Sequence, residues 1–210
     1  DLQAGGTWLG VSRSGRLAIL TNFRDLNQML INARSRGELV TRFLQDDMGC
    51  EDFLRQLVPT VADYNHFNLL LFDGKRLYGF ESRRATPFAI APGVGAVSNA
   101  DFETPWPKLR RLKGRFQSLI ESNQSDDTSL LDVLQDGTLA PDDQLPDTGI
   151  GLDRERALSS PFVGTTNYGT RACSIVRVRR SSVEFVEQCH DFHRVTTRSR
   201  FFFDLDESLV

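Results

Sequence analysis

The sequence predicts an α+β fold with mainly antiparallel sheets, and three features of its 210 residues support this class. Short apolar runs of strand length, joined by turn residues, occupy residues 8–20 and 67–82. Helical periodicity is concentrated in residues 36–57 and 104–120, and alternating strand patterns return from residue 171. Because strands follow one another directly while helices form their own groups, we expect antiparallel sheets.

The first element is a β-hairpin. Residues 8–11 favour a strand, residues 12–15 (Ser-Arg-Ser-Gly) favour a turn, and residues 17–20 form an apolar run of buried-strand length. This run ends in Thr-Asn-Phe-Arg-Asp at residues 21–25, which is rich in donors and charge. We expect either a binding site, which buried strands often build at their ends, or the ordinary polar edge of a hairpin.

Two short helices follow the hairpin. Ser35 stands three residues before Glu38, which is the spacing of a capping box, and a helix is expected over residues 36–45. A second helix is expected over residues 51–57, closed by Pro59. We expect this helical pair to cover one face of a sheet.

A second hairpin is predicted next. The apolar run at residues 67–72 is turned by Asp73-Gly74, and a second run returns at residues 77–82. Asp-Gly between two such runs is a strong hairpin signal. A further short strand is expected at residues 87–91, before a turn that leads to Ser98-Asn99-Ala100.

The longest helix is expected to begin at Thr104-Pro105, because threonine is a good N-cap and proline is favoured at the first helical position. Its apolar face is formed by Trp106, Leu109, Leu112, Phe116, Leu119 and Ile120. Its basic residues are Lys108, Arg110, Arg111, Lys113 and Arg115. This basic face is either solvated or contacts an anionic ligand or a membrane surface.

Residues 121–153 differ in composition from the rest of the chain. They contain nine acidic residues and no lysine or arginine. A short helix is expected at residues 129–135, and turn formers dominate residues 136–151. We expect an acidic, loop-rich surface excursion without a site.

The last third of the chain returns to strands. Residues 171–179 alternate in polarity, residues 181–182 form a turn, and residues 183–186 continue the sheet. A final strand is expected at residues 200–205.

Composition bounds the class of protein. The length suits one domain over residues 1–210, and the net charge of −3 gives no general attraction to nucleic acid. Cys50, Cys173 and Cys189 are an odd number without paired spacing, so a disulfide framework is not expected. No apolar run approaches the roughly 18 residues of a membrane-spanning helix.

The sequence lacks the residue patterns of several kinds of functional site. His190 and His193, beside Cys189 and Asp191, are too few for a zinc site unless His66, Cys50 or Cys173 joins them, so we predict no metal and expect histidines exposed to solvent between two strands. The chain has no Gly-x-Ser-x-Gly elbow and no glycine-rich phosphate loop. No cofactor is predicted.

Five sequence blocks, in order along the chain, carry a family resemblance. They are residues 5–25, 35–40, 64–69, 98–108 and 168–171. This series resembles the family of transport and Golgi organisation protein 2, which is also named after its Asn-Arg-Asp-Glu motif. That motif and the family's leading Met-Cys do not occur here, so we expect a single domain that lacks the family's N-terminal strand.

The resemblance implies a fold and a set of site residues. The family is similar to the N-terminal-nucleophile hydrolases, with a four-layer αββα sandwich. In their cysteine branch an N-terminal cysteine attacks an amide, and Asn22 and Asn99 lie in blocks where that branch places oxyanion donors. Arg171 resembles the branch's arginine beside the nucleophile. Alternatively, Asn22 and Asn99 cap turns and Arg171 pairs with a carboxylate. The nucleophile itself is missing from this chain, so no catalytic residue is predicted in it.

The resemblance also implies a function. The family has been linked to secretory and Golgi organisation, to lipid and acyl-CoA metabolism and to haem trafficking. We predict a ligand-handling role in which a cleft between two sheets accepts an anionic amphiphile such as an acyl-CoA. The predicted ligand-binding residues are Trp8, Asn22, Arg24, Asn99, Lys108 and Arg171. The alternatives are a cysteine amidohydrolase and a haem carrier with His66, His190 or His193 as axial ligand. The expected location is the cytoplasm, with Golgi, mitochondrial or peripheral membrane association left open.

Overall fold

A computed structural model describes residues 4–25, 29–191 and 194–205, and it confirms the α+β class. The chain divides into two compact units. Among the described residues, the first comprises those up to Gly93 together with Val97–Thr104 and Leu205, and the second comprises Val94–Ala96 and those from Pro105 to Asp204. The described residues form two antiparallel sheets, one in each unit. The four-layer order that the resemblance implies stays a prediction.

The first unit is built on a five-stranded antiparallel sheet whose strands follow the chain order. The strands are β1 (Leu9–Val11), β2 (Leu17–Asn22), β3 (Phe67–Phe72), β4 (Leu77–Glu81) and β5 (Thr86–Ala89). Both predicted hairpins are present, and Gly15 and Gly74 adopt positive φ in their turns, which glycine tolerates without steric cost.

Three helical segments follow β2 and differ from the prediction at their ends. They are α1 (Gly37–Gln45), α2 (Cys50–Leu57) and a 3₁₀ helix (Val58–Asp63). The predicted capping box is not formed: Arg36 is the N-cap and no side chain caps this end. Glu38 instead accepts a hydrogen bond from the Tyr64 hydroxyl. Pro59 does not close α2 but sits in the first turn of the 3₁₀ helix, where a missing N–H is tolerated.

One face of this sheet packs against α1 and α2. The buried core residues include Ala18, Leu20, Phe67, Leu69, Leu71 and Phe80 from the sheet and Leu39, Val40, Phe43, Phe53, Leu54 and Leu57 from the helices. Each large apolar side chain buried here stabilises the fold by about 1.5–3 kcal/mol. Because side chains alternate between the two faces of a strand, Thr21, Asn68 and Glu81 point to the opposite face.

Two glycines allow the start of α1 to approach the first hairpin. A Cβ on Gly6 would stand 2.4 Å from the Gly37 carbonyl carbon, and one on Gly37 would stand 3.1 Å from Thr7 N. The Thr7 N–H donates to the Gly37 carbonyl over 3.3 Å. Two of the five sequence blocks therefore meet through backbone contact that side chains would prevent.

The second unit combines three α-helices with a three-stranded sheet. Its elements are α3 (Pro107–Glu121), α4 (Asp127–Leu134), α5 (Leu152–Ala157), β6 (Ala172–Val178), β7 (Ser182–Asp191) and β8 (Arg194–Asp204). The longest helix begins at Pro107 rather than at Thr104-Pro105, with Trp106 as N-cap. The first-position preference for proline is met by the later of the two prolines. No pattern predicted α5 or the early start of β8.

The acidic segment is packed rather than wholly exposed. α4 buries Leu130, Leu131 and Val133. Asp136 is buried beside Arg111 and Arg115 of α3, which both bind its carboxylate. Burial opposes ionisation, but hydrogen bonds from Thr138 and the two arginines outweigh it and hold the pKa of Asp136 below its ordinary value. Part of the basic face of α3 is thus neutralised within the unit.

His190 corrects another prediction. It lies inside β7 and is buried at 1% exposure, not exposed between two strands. Its ring packs edge-on against Phe162, with centroids 4.8 Å apart. β7 is longer than its sequence pattern indicated, and this extends the sheet over His190. His193 lies outside the described residues.

Candidate functional site

Polar groups gather at one end of the five-stranded sheet. The antiparallel register places Asn22, the last residue of β2, opposite Phe67, and it places Asn68 opposite Glu81 at the end of β4. The residues that leave β2, enter β3 and leave β4 therefore lie side by side. This is the end at which the sequence predicted either a binding site or the ordinary polar edge of a hairpin.

The structure brings together three of the predicted ligand-binding residues, Asn22, Arg24 and Asn99. The Asn99 side-chain amide donates to the Asn22 carbonyl over 3.0 Å, and the Arg24 N–H donates to the Asn99 carbonyl over 2.7 Å. Asn99 thus bridges the loop at residues 98–102 to the segment that leaves β2. This bond joins two distant segments, and the alternative role of Asn99, capping a turn, stays a prediction.

Sequence reasoning missed a row of polar side chains behind this loop. Thr21, Asn68 and Glu81 are direct neighbours on three adjacent strands, and Asn68 and Glu81 are 1% and 4% exposed. The Asn68 amide donates to the Ala100 carbonyl over 2.7 Å, and the Phe102 N–H donates to the Glu81 carboxylate over 2.8 Å. The available signal was an asparagine inside the apolar run of β3.

His66 lies at the same end of the sheet, immediately before β3. Its Nδ1 is 3.3 Å from the Ser82 hydroxyl, which also accepts a hydrogen bond from the Phe67 N–H over 2.9 Å. Arg36 donates to the His66 carbonyl over 3.0 Å. The imidazole is half-buried and packs edge-on against Phe23.

Trp8 is also part of the first unit. Its side chain is 49% exposed, and the Arg36 guanidinium lies 5.9 Å from its ring centroid. Its carbonyl accepts from the Leu20 N–H over 2.8 Å, which fixes the residue at the start of the hairpin. An exposed indole at a fixed position offers apolar contact area at low entropic cost.

Lys108 and Arg171, the other two predicted ligand-binding residues, belong to the second unit. The Lys108 ammonium lies 5.7 Å from the centroid of the Trp106 ring at the start of α3. Arg171 immediately precedes β6 and follows a tight loop.

Hydrogen bonds hold the backbone of that loop, residues 163–170. The Thr165 N–H donates to the Tyr168 carbonyl and the Thr170 N–H donates to the Val163 carbonyl, both over 2.8 Å. The Val163 N–H donates to the Thr170 hydroxyl over 3.0 Å. Gly169 is required, since a Cβ there would stand 2.9 Å from the Val163 carbonyl oxygen.

The loop lines a partly open pocket of about 200 Å³. Its lining residues are Val163, Thr165, Asn167, Tyr168, Gly169, Thr170 and Arg171. Arg171 is 75% exposed and donates to Asp191 over 3.0 Å, as the carboxylate alternative predicted. An ion pair this exposed stabilises the fold by about 0–1 kcal/mol. Because a guanidinium has five N–H donors, the bond to Asp191 leaves donors of Arg171 for other acceptors.

Comparison with known proteins identifies the family. The family model described as Transport and Golgi organisation 2 matches residues 1–191. The chain belongs to the Transport and Golgi organisation 2 family. This agrees with the resemblance carried by the five sequence blocks.

Named relatives within the Transport and Golgi organisation 2 family are similar over most of the chain. The Transport and Golgi organization protein 2 homolog of Bos taurus is 37% identical over 193 residues, covering 84% of this chain and 68% of the relative. The Homo sapiens homolog is 36% identical over 194 residues, with the same coverage. The Mus musculus homolog is 34% identical over 205 residues, covering 89% and 72%.

Two thiols of this Transport and Golgi organisation 2 chain, those of Cys50 and Cys173, are poorly suited to nucleophilic attack. Burial, reinforced by the Asp73 carboxylate, raises the pKa of Cys50 to about 12. Burial raises the pKa of Cys173 to about 11. Both are therefore protonated at neutral pH, and the thiolate is the reactive form.

Two further properties concern the described part of the chain. No group of three or more histidine, cysteine, aspartate or glutamate side chains within it is arranged to hold a metal ion. None of its helices combines the length and the apolar character that crossing a bilayer requires.

Proposed function

We propose that this member of the Transport and Golgi organisation 2 family binds an anionic amphiphile, with acyl-CoA as the ligand class. The observation that carries the proposal is the cavity at residues 163–171, which has an exposed guanidinium in its wall. Tyr168, at 66% exposure, and Val163 supply apolar surface beside that charge. The combination suits a ligand with an anionic group next to an apolar part.

The chemistry of Arg171 favours phosphate or carboxylate. A guanidinium forms paired hydrogen bonds with either group, and such charge-assisted bonds are about twice as strong as neutral ones. The Arg171–Asp191 pair is exposed and therefore weak enough for a ligand anion to share the guanidinium. A thioester of coenzyme A carries both phosphates and an acyl chain, so it fits this cavity's chemistry.

The first unit supports the same ligand class independently. Asn22, Arg24 and Asn99 lie together at the end of an apolar sheet, where the Asn99 side-chain amide and the Arg24 backbone N–H form hydrogen bonds that join them. Trp8 offers an exposed aromatic ring. We propose that Asn22, Arg24 and Asn99 contact the polar groups of such a ligand in the first unit and, as a separate proposal for the second unit, that Lys108 adds positive charge at the start of α3.

Acyl-CoA is preferred to haem because one of the candidate axial ligands, His190, and two of the three thiols are buried. His190 is 1% exposed and cannot reach a macrocycle without disruption of β7. Cys50 and Cys173 are buried, protonated thiols. The names of the relatives concern transport and Golgi organisation, and we infer that ligand handling serves that process here.

Isothermal titration calorimetry with palmitoyl-CoA, below its micelle concentration, tests the proposal. Arg171→Ala should weaken binding about 10-fold or more, because a hydrogen bond to a charged group contributes about 1.5–3 kcal/mol. Arg179→Ala is the matched control, since Arg179 is a 53% exposed arginine in the same unit that pairs with Glu184. Equal affinities for the two variants, or no binding by wild type, would overturn the proposal. Haemin affinity can be followed by the shift of the Soret band. Tighter binding of haemin than of palmitoyl-CoA would favour the haem alternative.

A further inference from the structure

We propose that Asn68 is a positioning residue that holds the loop at residues 98–102 and thereby sets the orientation of Asn99 toward the ligand. This inference rests on the proposed function, because it takes Asn99 to contact the ligand. Neither the family resemblance nor the predicted site residues assigned a role to Asn68.

An asparagine in the middle strand of an apolar sheet needs an explanation. Asn68 is 1% exposed and lies between Phe67 and Leu69, which are fully buried. Burying an amide costs free energy unless its hydrogen bonds are replaced. Here the two N–H groups of the side chain have two acceptors, the Ala100 carbonyl at 2.7 Å and the Thr21 hydroxyl at 3.2 Å, whereas the buried Oδ1 accepts no hydrogen bond from the described residues.

These two acceptors lie on different segments. Thr21 belongs to β2, whereas Ala100 belongs to the loop, so one side chain joins β2, β3 and the loop. Ala100 is itself 7% exposed, and its carbonyl would lose a buried hydrogen bond if the Asn68 amide were removed. A buried carbonyl left without a partner costs about 1–3 kcal/mol, which is enough to shift a short loop.

Glu81 holds the loop on the other side of Ala100. Its carboxylate accepts from the Phe102 N–H over 2.8 Å and also pairs with Arg84 at 3.2 Å. Arg84 in turn lies 3.4 Å from the Asp101 carboxylate. The loop is therefore bonded at residues 100 and 102 from one face of the sheet and at residue 101 from the turn between β4 and β5.

The effect reaches Asn99 through its covalent neighbour and its own hydrogen bonds. Asn99 accepts from the Arg24 N–H and donates to the Asn22 carbonyl, so it spans from the loop to the segment leaving β2. Both hydrogen bonds require the present position of the loop relative to β2, and the Asn68–Ala100 hydrogen bond fixes that position. Loss of the Asn68 amide should leave the Asn99 carboxamide without a fixed direction.

The experiment combines loop order with ligand affinity. Amide hydrogen exchange of residues 98–104 is measured first in the ligand-free protein, for wild type, Asn68→Ala and the milder Asn68→Ser. Thr21→Val is the matched control, because it removes the other Asn68 partner and leaves the bond to Ala100. We expect exchange at residues 98–104 to rise about 10-fold in both Asn68 variants, with α1 and α2 still protected, and to change little in Thr21→Val.

Palmitoyl-CoA affinity is then measured in a double-mutant cycle. If Asn68 acts through Asn99, then Asn68→Ser and Asn99→Ala each weaken binding about 5-fold, and the double variant binds no more weakly than Asn99→Ala alone. A general structural effect gives additive losses instead, and additivity would overturn the proposal. Unchanged exchange at residues 98–104 would also overturn it. Loosened exchange with no palmitoyl-CoA binding by wild type would overturn the ligand role of the loop, and it would identify the proposed function, not the Asn68 contact, as the part that failed.

Discussion

Gly6 lies so close to the first turn of α1 that any side chain on it must displace backbone, because a Cβ would stand 2.4 Å from the Gly37 carbonyl carbon. Backbone gives way less easily than a flexible side chain. Gly6→Ala should therefore lower the free energy of unfolding by about 1–3 kcal/mol, the usual cost of overpacking. Urea denaturation followed by circular dichroism measures this.

Gly114 provides the matched substitution for that measurement. It lies within α3, and a Cβ there would have no neighbour within 4 Å. Gly114→Ala should raise stability by about 0.5–1 kcal/mol, because alanine has the higher helix propensity. A Gly6→Ala protein as stable as wild type would show that the two backbones do not meet as described.

At the same scale, single residues mark what sequence could and could not predict. Asn22, Arg24 and Asn99 were identified together, through the polar end of an apolar run and the family resemblance, and the structure places them together. Asn68 was not identified, because a strand pattern does not say which residues a distant loop will bond. His190 was expected to be exposed and is buried, since burial depends on how far β7 extends.

At the scale of elements, Asp73 connects the second hairpin to α2. One carboxylate oxygen accepts from the Lys75 and Arg76 N–H groups in the turn, over 3.1 and 2.9 Å. The other accepts from the Cys50 N–H at the start of α2, over 3.0 Å. Partial burial opposes ionisation, but these backbone hydrogen bonds outweigh it and lower the pKa of Asp73.

This lowered pKa gives a pH-dependent prediction. A carboxylate with a depressed folded-state pKa stabilises the protein above its unfolded value of about 3.9, and the contribution is lost as pH falls through the folded value. Asp73→Asn should therefore cost about 1–2 kcal/mol at pH 7, in the range of a lost cap, and less below about pH 4. Denaturation from pH 7 to pH 3 checks this, with exposed Asp143→Asn as control. A difference that stays constant down to pH 3 would contradict the assignment.

Most elements were predictable because their signals are local. Turn residues and periodicity located both hairpins of the first unit and the helices α1 to α4 within a few residues. The failures occurred where non-local contacts decide. Glu38 had the spacing of a capping box but bonds Tyr64, and α3 begins at the second of two prolines.

At the scale of the whole molecule, two antiparallel sheets in two compact units carry the candidate residues. Trp8, Asn22, Arg24 and Asn99 belong to the first unit, and Lys108 and Arg171 belong to the second. Composition and periodicity predicted the α+β class. The choice of ligand-binding residues drew on the polar end of the apolar run in β2 and on the family resemblance, because a local pattern does not show which distant residues meet.

Binding of acyl-CoA at Arg171 can be tested directly by photo-crosslinking, followed by peptide mapping. The probe is a palmitoyl-CoA analogue that carries a diazirine in its acyl chain. We expect labelling within residues 163–171 that excess palmitoyl-CoA removes. Arg171→Ala should reduce this labelling strongly, and Arg179→Ala should leave it unchanged. Labelling that persists in excess palmitoyl-CoA would contradict the proposed acyl-CoA binding. So would labelling that falls outside both the 163–171 loop and the polar end of the five-stranded sheet.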